Sequence, residues 1–221
     1  MKRTFELSIL MATFLLVSAC GKTNLKKMSH KWNVASYVEH STNAVGAQVI
    51  ETGDKSNYSV NYIDVNNQSN ETHGSIDEYT ITFSKNGTFN VVKRYHYSKI
   101  QAGTTIVTQI ENFITGTWVF VGTNKTEDFK KNERILINLT KNITNQTDVK
   151  TTASDSTTTE KNTIEDTYLS GEKTFVYVVK ESAKHKLVLE VDNEHGSGSS
   201  YNGTENPTYV DKSTKTYHLE E

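Results

Sequence analysis

The sequence predicts an all-β, antiparallel chain whose strands close into a barrel or pack as a sandwich. Three observations carry that expectation. Apolar residues recur at every second position over many short runs, the mark of a half-buried strand. Helical spacing is nearly absent, and β-branched and aromatic residues dominate the apolar set. Turn formers separate the runs, with Asn and Gly where the chain must reverse. Closure hides strand edges, which favours a barrel, while the sandwich remains the alternative.

The chain starts with a segment that need not belong to that fold. Residues 1–19 read as a secretory signal. Lys2 and Arg3 form a positive head, and the apolar stretch to Val17 is shorter than the roughly 20 residues a spanning helix needs. The string Val17-Ser18-Ala19-Cys20 resembles a bacterial lipobox. That resemblance implies cleavage before Cys20, with acyl chains on the new N-terminal cysteine. Two or more chains anchor stably where one is marginal. Gly21 stands where an Asp would imply retention in the inner membrane. The resemblance therefore implies an outer-membrane lipoprotein, facing the periplasm, with the cell surface as the alternative. Residues 20–30 read as a lipidated tether, with Lys22, Lys26 and Lys27 suited to anionic headgroups.

Residues 31–221 follow as one expected β domain. A first strand covers about Lys31 to Glu39, with Trp32, Val34 and Val38 on one face. Residues 41–78 form a polar insert, in which Tyr58, Val60 and Tyr62 alternate as a further strand. A hairpin follows: Tyr79, Ile81 and Phe83 alternate, Lys85-Asn86-Gly87 turns, and Phe89, Val91, Tyr95 and Tyr97 return. Lys93 interrupts that returning face, so it must meet water or a polar partner. Ile106, Thr108 and Ile110 mark one strand, and Gly116 to Gly122 a turn into a short one. Ile135, Ile137 and Leu139 mark the next. The insert 141–172 is rich in Thr and Ser, and is either a disordered loop or an extended hairpin. Threonine's strand preference favours the hairpin. Thr174 to Val179 and Leu187 to Val191 form a pair of strands, Gly196 to Ser200 a loop, and Thr214 to Glu220 the last strand. The expectation is about eight to ten strands.

The order of these motifs resembles a known family. Trp32-Asn33-Val34, the hairpin Tyr79 to Phe89, Gly116-Thr117-Trp118, Ile135 to Leu139, and the pair Tyr177-Val178-Val179 with Leu187-Val188-Leu189 look like the lipocalin-like domain of bacterial envelope lipoproteins. The resemblance implies an up-and-down barrel with an internal cavity. It does not imply one ligand, since one fold hosts many functions.

The chemistry of the chain excludes more than it selects. Net charge is −2, so nothing drives binding to nucleic acid. Cys20 is the only cysteine, and acylation would leave none for a disulfide. Asn-X-Ser/Thr triplets such as Asn86-Gly87-Thr88 fit an Asn/Thr-rich composition beside a lipobox better than glycosylation. The seven histidines show no metal-ligand spacing, so no metal is expected. Asp64 to Ser69 begins like a calcium loop but has Ser69 where glycine belongs. No nucleophile elbow, phosphate loop or paired carboxylates stand out, so no catalytic residue and no cofactor is expected.

Trp32, Phe83, Phe89 and Trp118 are candidates either for the core or for the lining of a cavity. Tyr58, Tyr62, Tyr95 and Tyr97 either cover a sheet face or offer rings to a ligand. The expected function is non-enzymatic: a membrane-anchored barrel that binds a small apolar or amphipathic ligand. One alternative is a filled barrel that holds an envelope protein. The other is a hydrolase or isomerase with a site assembled from distant strands.

Overall fold

The computed structural model describes residues 27–43, 45–123, 132–197, 200–201, 204–205 and 209–221. The expected signal at residues 1–19, the lipid-attachment residue Cys20 and most of the tether lie outside these. The strands, in chain order, are β1 (Lys31–Thr42), β2 (Gln48–Asp54), β3 (Asn57–Ile63), β4 (Ser69–Phe83), β5 (Thr88–Gln101), β6 (Thr104–Phe120) and β7 (Glu133–Thr151). They continue with β8 (Thr157–Thr167), β9 (Thr174–Ala183), β10 (Lys186–Ser197), β11 (Ser200–Tyr201), β12 (Thr204–Glu205) and β13 (Tyr209–Glu220).

The chain is all-β, and one antiparallel sheet of 11 strands closes in a ring. Eight strands, β1, β4, β5, β6, β7, β9, β10 and β13, make the ring. Each pairs with the next in chain order, and β13 returns to β1. The two polar inserts supply the other three strands. The β2–β3 hairpin wedges between β1 and β4, and β8 pairs with β7 above β9. The insert 141–172 is thus an extended hairpin, every residue of β8 exposed.

Two bulges admit the wedge. At one end Lys31–Asn33 of β1 pair directly with Thr80–Thr82 of β4. Beyond that the strands separate, and the register slips between Val34 and Ser36 in β1 and between Ile76 and Glu78 in β4. A bulge adds one residue and bends the strand, which is what two diverging neighbours need. The hairpin tip seats in the fork. Asp54 Oδ1 accepts the amides of Ser56 and Asn57 at 2.8 and 2.7 Å, and the Ser56 carbonyl accepts the amide of Ile76 at 2.7 Å.

The β1 bulge corrects the face expected for that strand. Trp32 and Val34 point inward, but the added residue turns Val38 outward, where it is 48% exposed. Tyr37 and Glu39 take the interior instead. A second difference lies in β6. The expected short strand after Gly116 is continuous with the one before it, because a bulge between Thr115 and Gly116 absorbs the glycine. A Cβ at Gly116 would lie 2.3 Å from the Asn138 carbonyl oxygen. The last strands are also longer than expected: β10 runs to Ser197, and β13 begins at Tyr209.

The narrow end of the ring is packed solid. Phe83 meets Phe89 and Trp118 with ring centroids at 5.4 and 5.2 Å. Trp118 Nε1 donates to the Ser84 carbonyl at 2.9 Å, and Trp32 Nε1 donates to the Met28 carbonyl at 3.1 Å. Both buried indoles therefore have partners, as burial requires. Met28, at the end of the expected tether, is itself buried against this floor. At Gly87, in the β4–β5 turn, φ is +84°, which glycine adopts without cost.

The bulge predicts an asymmetry between neighbouring valines. Val34→Thr, which buries a hydroxyl, should cost about 1–3 kcal/mol. Val38→Thr should change stability by less than about 0.5 kcal/mol. Urea unfolding measures both, and equal losses would mean that Val38 faces the core.

Candidate functional site

Above the packed floor the ring encloses a cavity of about 250 Å³. Its lower wall is apolar: Ile81 from β4, Phe89 and Val91 from β5, Ile114 from β6, and Ile137 and Leu139 from β7. Phe175 and Tyr177 from β9 and Tyr79 and Tyr217 complete it. A second space of about 290 Å³ adjoins it toward the wide end, sharing Glu39, Glu51, Phe175 and Lys215. Its remaining wall includes Lys173, where β9 begins, and Ser213 on β13.

Four charged side chains stand between the two spaces. Glu39 on β1 is directly opposite Glu51 on β2 and Lys215 on β13. Two carboxylates facing each other across a ladder repel, and the lysines offset that. Lys215 Nζ donates to Glu39 Oε2 at 2.6 Å. Lys93, reaching into the lumen from β5, donates to Glu51 Oε1. The tyrosines complete the shell. Tyr37 donates to Glu51 Oε1 at 2.7 Å, and Tyr217 donates to Glu39 Oε1 at 2.8 Å. The Lys93 ammonium also lies 4.6, 4.9 and 5.3 Å from the ring centres of Tyr37, Tyr79 and Tyr95, within cation–π range.

This packing sets the ionisation of the groups. Burial pushes the Glu39 carboxyl up, but Lys215 and Lys93 together more than offset it, so its pKa lies below the ordinary value. The phenols of Tyr37, Tyr79, Tyr95, Tyr177 and Tyr217 are pushed up, first by burial and then by nearby carboxylates. They stay protonated, and those of Tyr37 and Tyr217 donate to the carboxylates.

Glycine makes room for two of the rings. A Cβ on Gly53 would lie 2.3 Å from Tyr37, and one on Gly74 would lie 2.2 Å from Tyr58. Tyr58 packs edge-on against Tyr95 at 4.8 Å. Its hydroxyl is buried with no protein partner, as are Oδ1 of Asn112 and Oδ1 of Asn142.

Of the four aromatic candidates from the sequence, only Phe89 lines the cavity. Trp32, Phe83 and Trp118 fill the floor. Tyr95 lines the cavity, Tyr58 and Tyr97 pack beside it, and Tyr62 is 47% exposed. Asp64 caps the β3–β4 turn, accepting the amides of Asn66 and Gln68, both at 2.8 Å. Among the described residues no three His, Cys, Asp or Glu side chains converge as metal ligands.

The structure adds Glu39, Glu51 and Lys215 to the residues that the sequence singles out. The bulge hid Glu39 from the alternation count. Glu51 lies in a polar run with no apolar partner pattern. Lys215 left a signal, since it alternates with Tyr217 and Leu219 as Lys93 alternates with Val91 and Tyr95. A lysine within an apolar stripe on two separate strands points to a shared polar interior. No family model, curated protein or solved structure matches the chain.

The site makes stability sensitive to pH on both sides. Because the Glu39 pKa is depressed, its contribution is complete above the ordinary value of 4.5 and is lost as pH falls through the folded value. Glu39→Gln should therefore flatten the acid limb of the stability curve. The raised phenols contribute fully below their ordinary value of 10.0, and that contribution is lost as pH rises beyond it. Absorbance titration should show these buried tyrosines ionising only together with unfolding. Titration of all eleven tyrosines by the intact fold would contradict the burial.

Proposed function

We propose that this chain is a lipid-anchored envelope protein whose lipocalin-like barrel holds a small amphipathic molecule. The observation that carries the ligand half is the divided lumen, with apolar walls below and hydrogen-bonding and charged groups above. Ligand sites combine these features: mostly apolar lining with a few placed polar groups. The strand order supports the lipocalin-like half, because the ring's strands are neighbours in chain order. A non-enzymatic role accords with carboxylates engaged by lysines and tyrosines.

The anchor half rests on the Val17-Ser18-Ala19-Cys20 string. On this reading the protein resides in the outer membrane and faces the periplasm. The described chain begins at the packed floor, where Met28 is buried beneath Trp32. Seven residues separate Cys20 from Met28, which limits their reach to about 30 Å. An anchored barrel would thus keep its floor near the bilayer and turn its wide end toward the aqueous space.

One experiment tests both halves. Wild type and Cys20→Ala are fractionated from a bacterial host and examined by native mass spectrometry. Wild type should sediment with membranes and Cys20→Ala should not, while both carry the same co-purifying small molecule. Retention of Cys20→Ala in the membrane would overturn the anchor. Absence of bound mass from both proteins would overturn the ligand role.

A further inference from the structure

We infer that the barrel rests on the bilayer through one side of its floor, where an outward patch of valines stands between unpaired lysines. This rests on the lipid anchor proposed above and names the surface that the anchored domain turns to the membrane.

The outward face of a ring strand meets water and is ordinarily polar. Near the floor three neighbouring strands break that pattern. Val119 on β6 is directly opposite Leu136 on β7, and Leu136 is directly opposite Val176 on β9. They alternate with Trp118, Ile137 and Phe175, which point inward, so they share the outer face. Val119 is 60% exposed, Val176 is exposed and Leu136 is half-buried. One row further down, Val121 is exposed and donates its amide to the Arg134 carbonyl, and Arg134 is opposite Val178. Single apolar side chains on a surface need no explanation, but an adjoining group across three strands marks a contact site.

The patch lies at the end where the tether enters. Trp118, one residue before Val119, packs on Phe83 in the floor, and its amide donates to the Gly87 carbonyl of the β4–β5 turn at 2.8 Å. Phe83 donates its own amide to the His30 carbonyl at 3.0 Å, just after buried Met28. The few residues between Cys20 and Met28 keep this end close to an anchor at Cys20.

The charge left unpaired here is positive. Lys85 sits in the β4–β5 turn, Lys184 in the β9–β10 turn to which Val176 and Val178 lead, and Lys27 next to Met28. All three are exposed, and none has an ion-pair or hydrogen-bond partner for its ammonium among the described residues. At the same end Glu181 lies against Lys186, Glu220 against Lys55, and Glu221 against His30 and His185. Apolar side chains flanked by free lysines suit an anionic bilayer interface, where the valines enter the acyl boundary and the ammonium groups meet lipid phosphates. A second copy would cover the valines as well, but the short tether brings lipid to this end whether or not another chain is present.

The test uses the acylated chain in vesicles of equal parts phosphatidylethanolamine and phosphatidylglycerol with brominated acyl chains, which quench a fluorophore on contact. Acylation consumes the Cys20 thiol, so Val119→Cys and Ile100→Cys each offer one thiol for an environment-sensitive label. Ile100 lies near the end of β5 at the wide rim and is 79% exposed. Quenching at residue 119 should exceed that at residue 100 by about threefold or more. Lys85→Glu combined with Lys184→Glu should lower the quenching at residue 119 by about half. Val176→Cys serves as the reporter if Val119→Cys does not fold. In chains that float with the vesicles, no quenching at residue 119, equal quenching at both positions, or unchanged quenching in the lysine variant overturns the docking and leaves the anchor. A blue shift at residue 119 without quenching means that protein, and not lipid, covers the valines, and overturns it too. A chain that does not float overturns the anchor and the docking together.

Discussion

The interior ion pairs are the constraint around which the rest of the structure is arranged. Glu51 belongs to the inserted hairpin and Lys93 to β5, a strand of the ring beyond it, so their contact ties the wedge to the ring. Glu39 and Lys215 join the first strand of the ring to the last. Charges this enclosed are costly to desolvate, and they persist only where partners meet most of their hydrogen-bonding capacity. The tyrosines supply that. Tyr37 and Tyr217 reach the two carboxylates, and the Tyr37 ring depends on the bare backbone of Gly53 for its place.

The bulges, the wedge and the cavity are then one arrangement. Without the slip between Val34 and Ser36, Val38 would face inward and Glu39 outward, and Lys215 would have no carboxylate opposite it. Without the hairpin there would be no Glu51 and no partner for Lys93. The narrow end needs no such devices. There the strands pair directly, and Trp32, Phe83, Phe89 and Trp118 fill the space. The molecule therefore changes along its axis from a solid apolar floor to a wider, polar and partly hollow upper half. Burial at the floor supplies stability, and the upper half carries the features of a binding site.

How much of this the sequence disclosed depended on distance along the chain. Hairpins are local, so the Tyr79 to Phe89 turn and the alternating strands of β5, β7 and β13 were visible as patterns. The β7–β8 hairpin was visible through threonine's strand preference. Lys93 stood out as a lysine in an apolar stripe, and it is indeed inward and paired. A bulge has no comparable signature, since one extra residue reverses the alternation without any marker residue. That is why plain alternation puts Val38 on the inner face and Glu39 on the outer one. Pairings between strands far apart in sequence, such as Glu39 with Lys215, depend on closure of the ring and leave no local trace.

The central claim is that Lys93 and Glu51 hold each other in place inside the ring. A double-mutant cycle on unfolding free energy tests it directly, using Lys93→Met, Glu51→Gln and the two together. Each single change strands a buried group and should cost about 3–5 kcal/mol. The pair removes both charges at once and should cost markedly less than the sum, leaving a coupling of about 2 kcal/mol or more. Strictly additive losses would mean that the two residues act independently, and the ion pair could not be the interaction on which this interior is built.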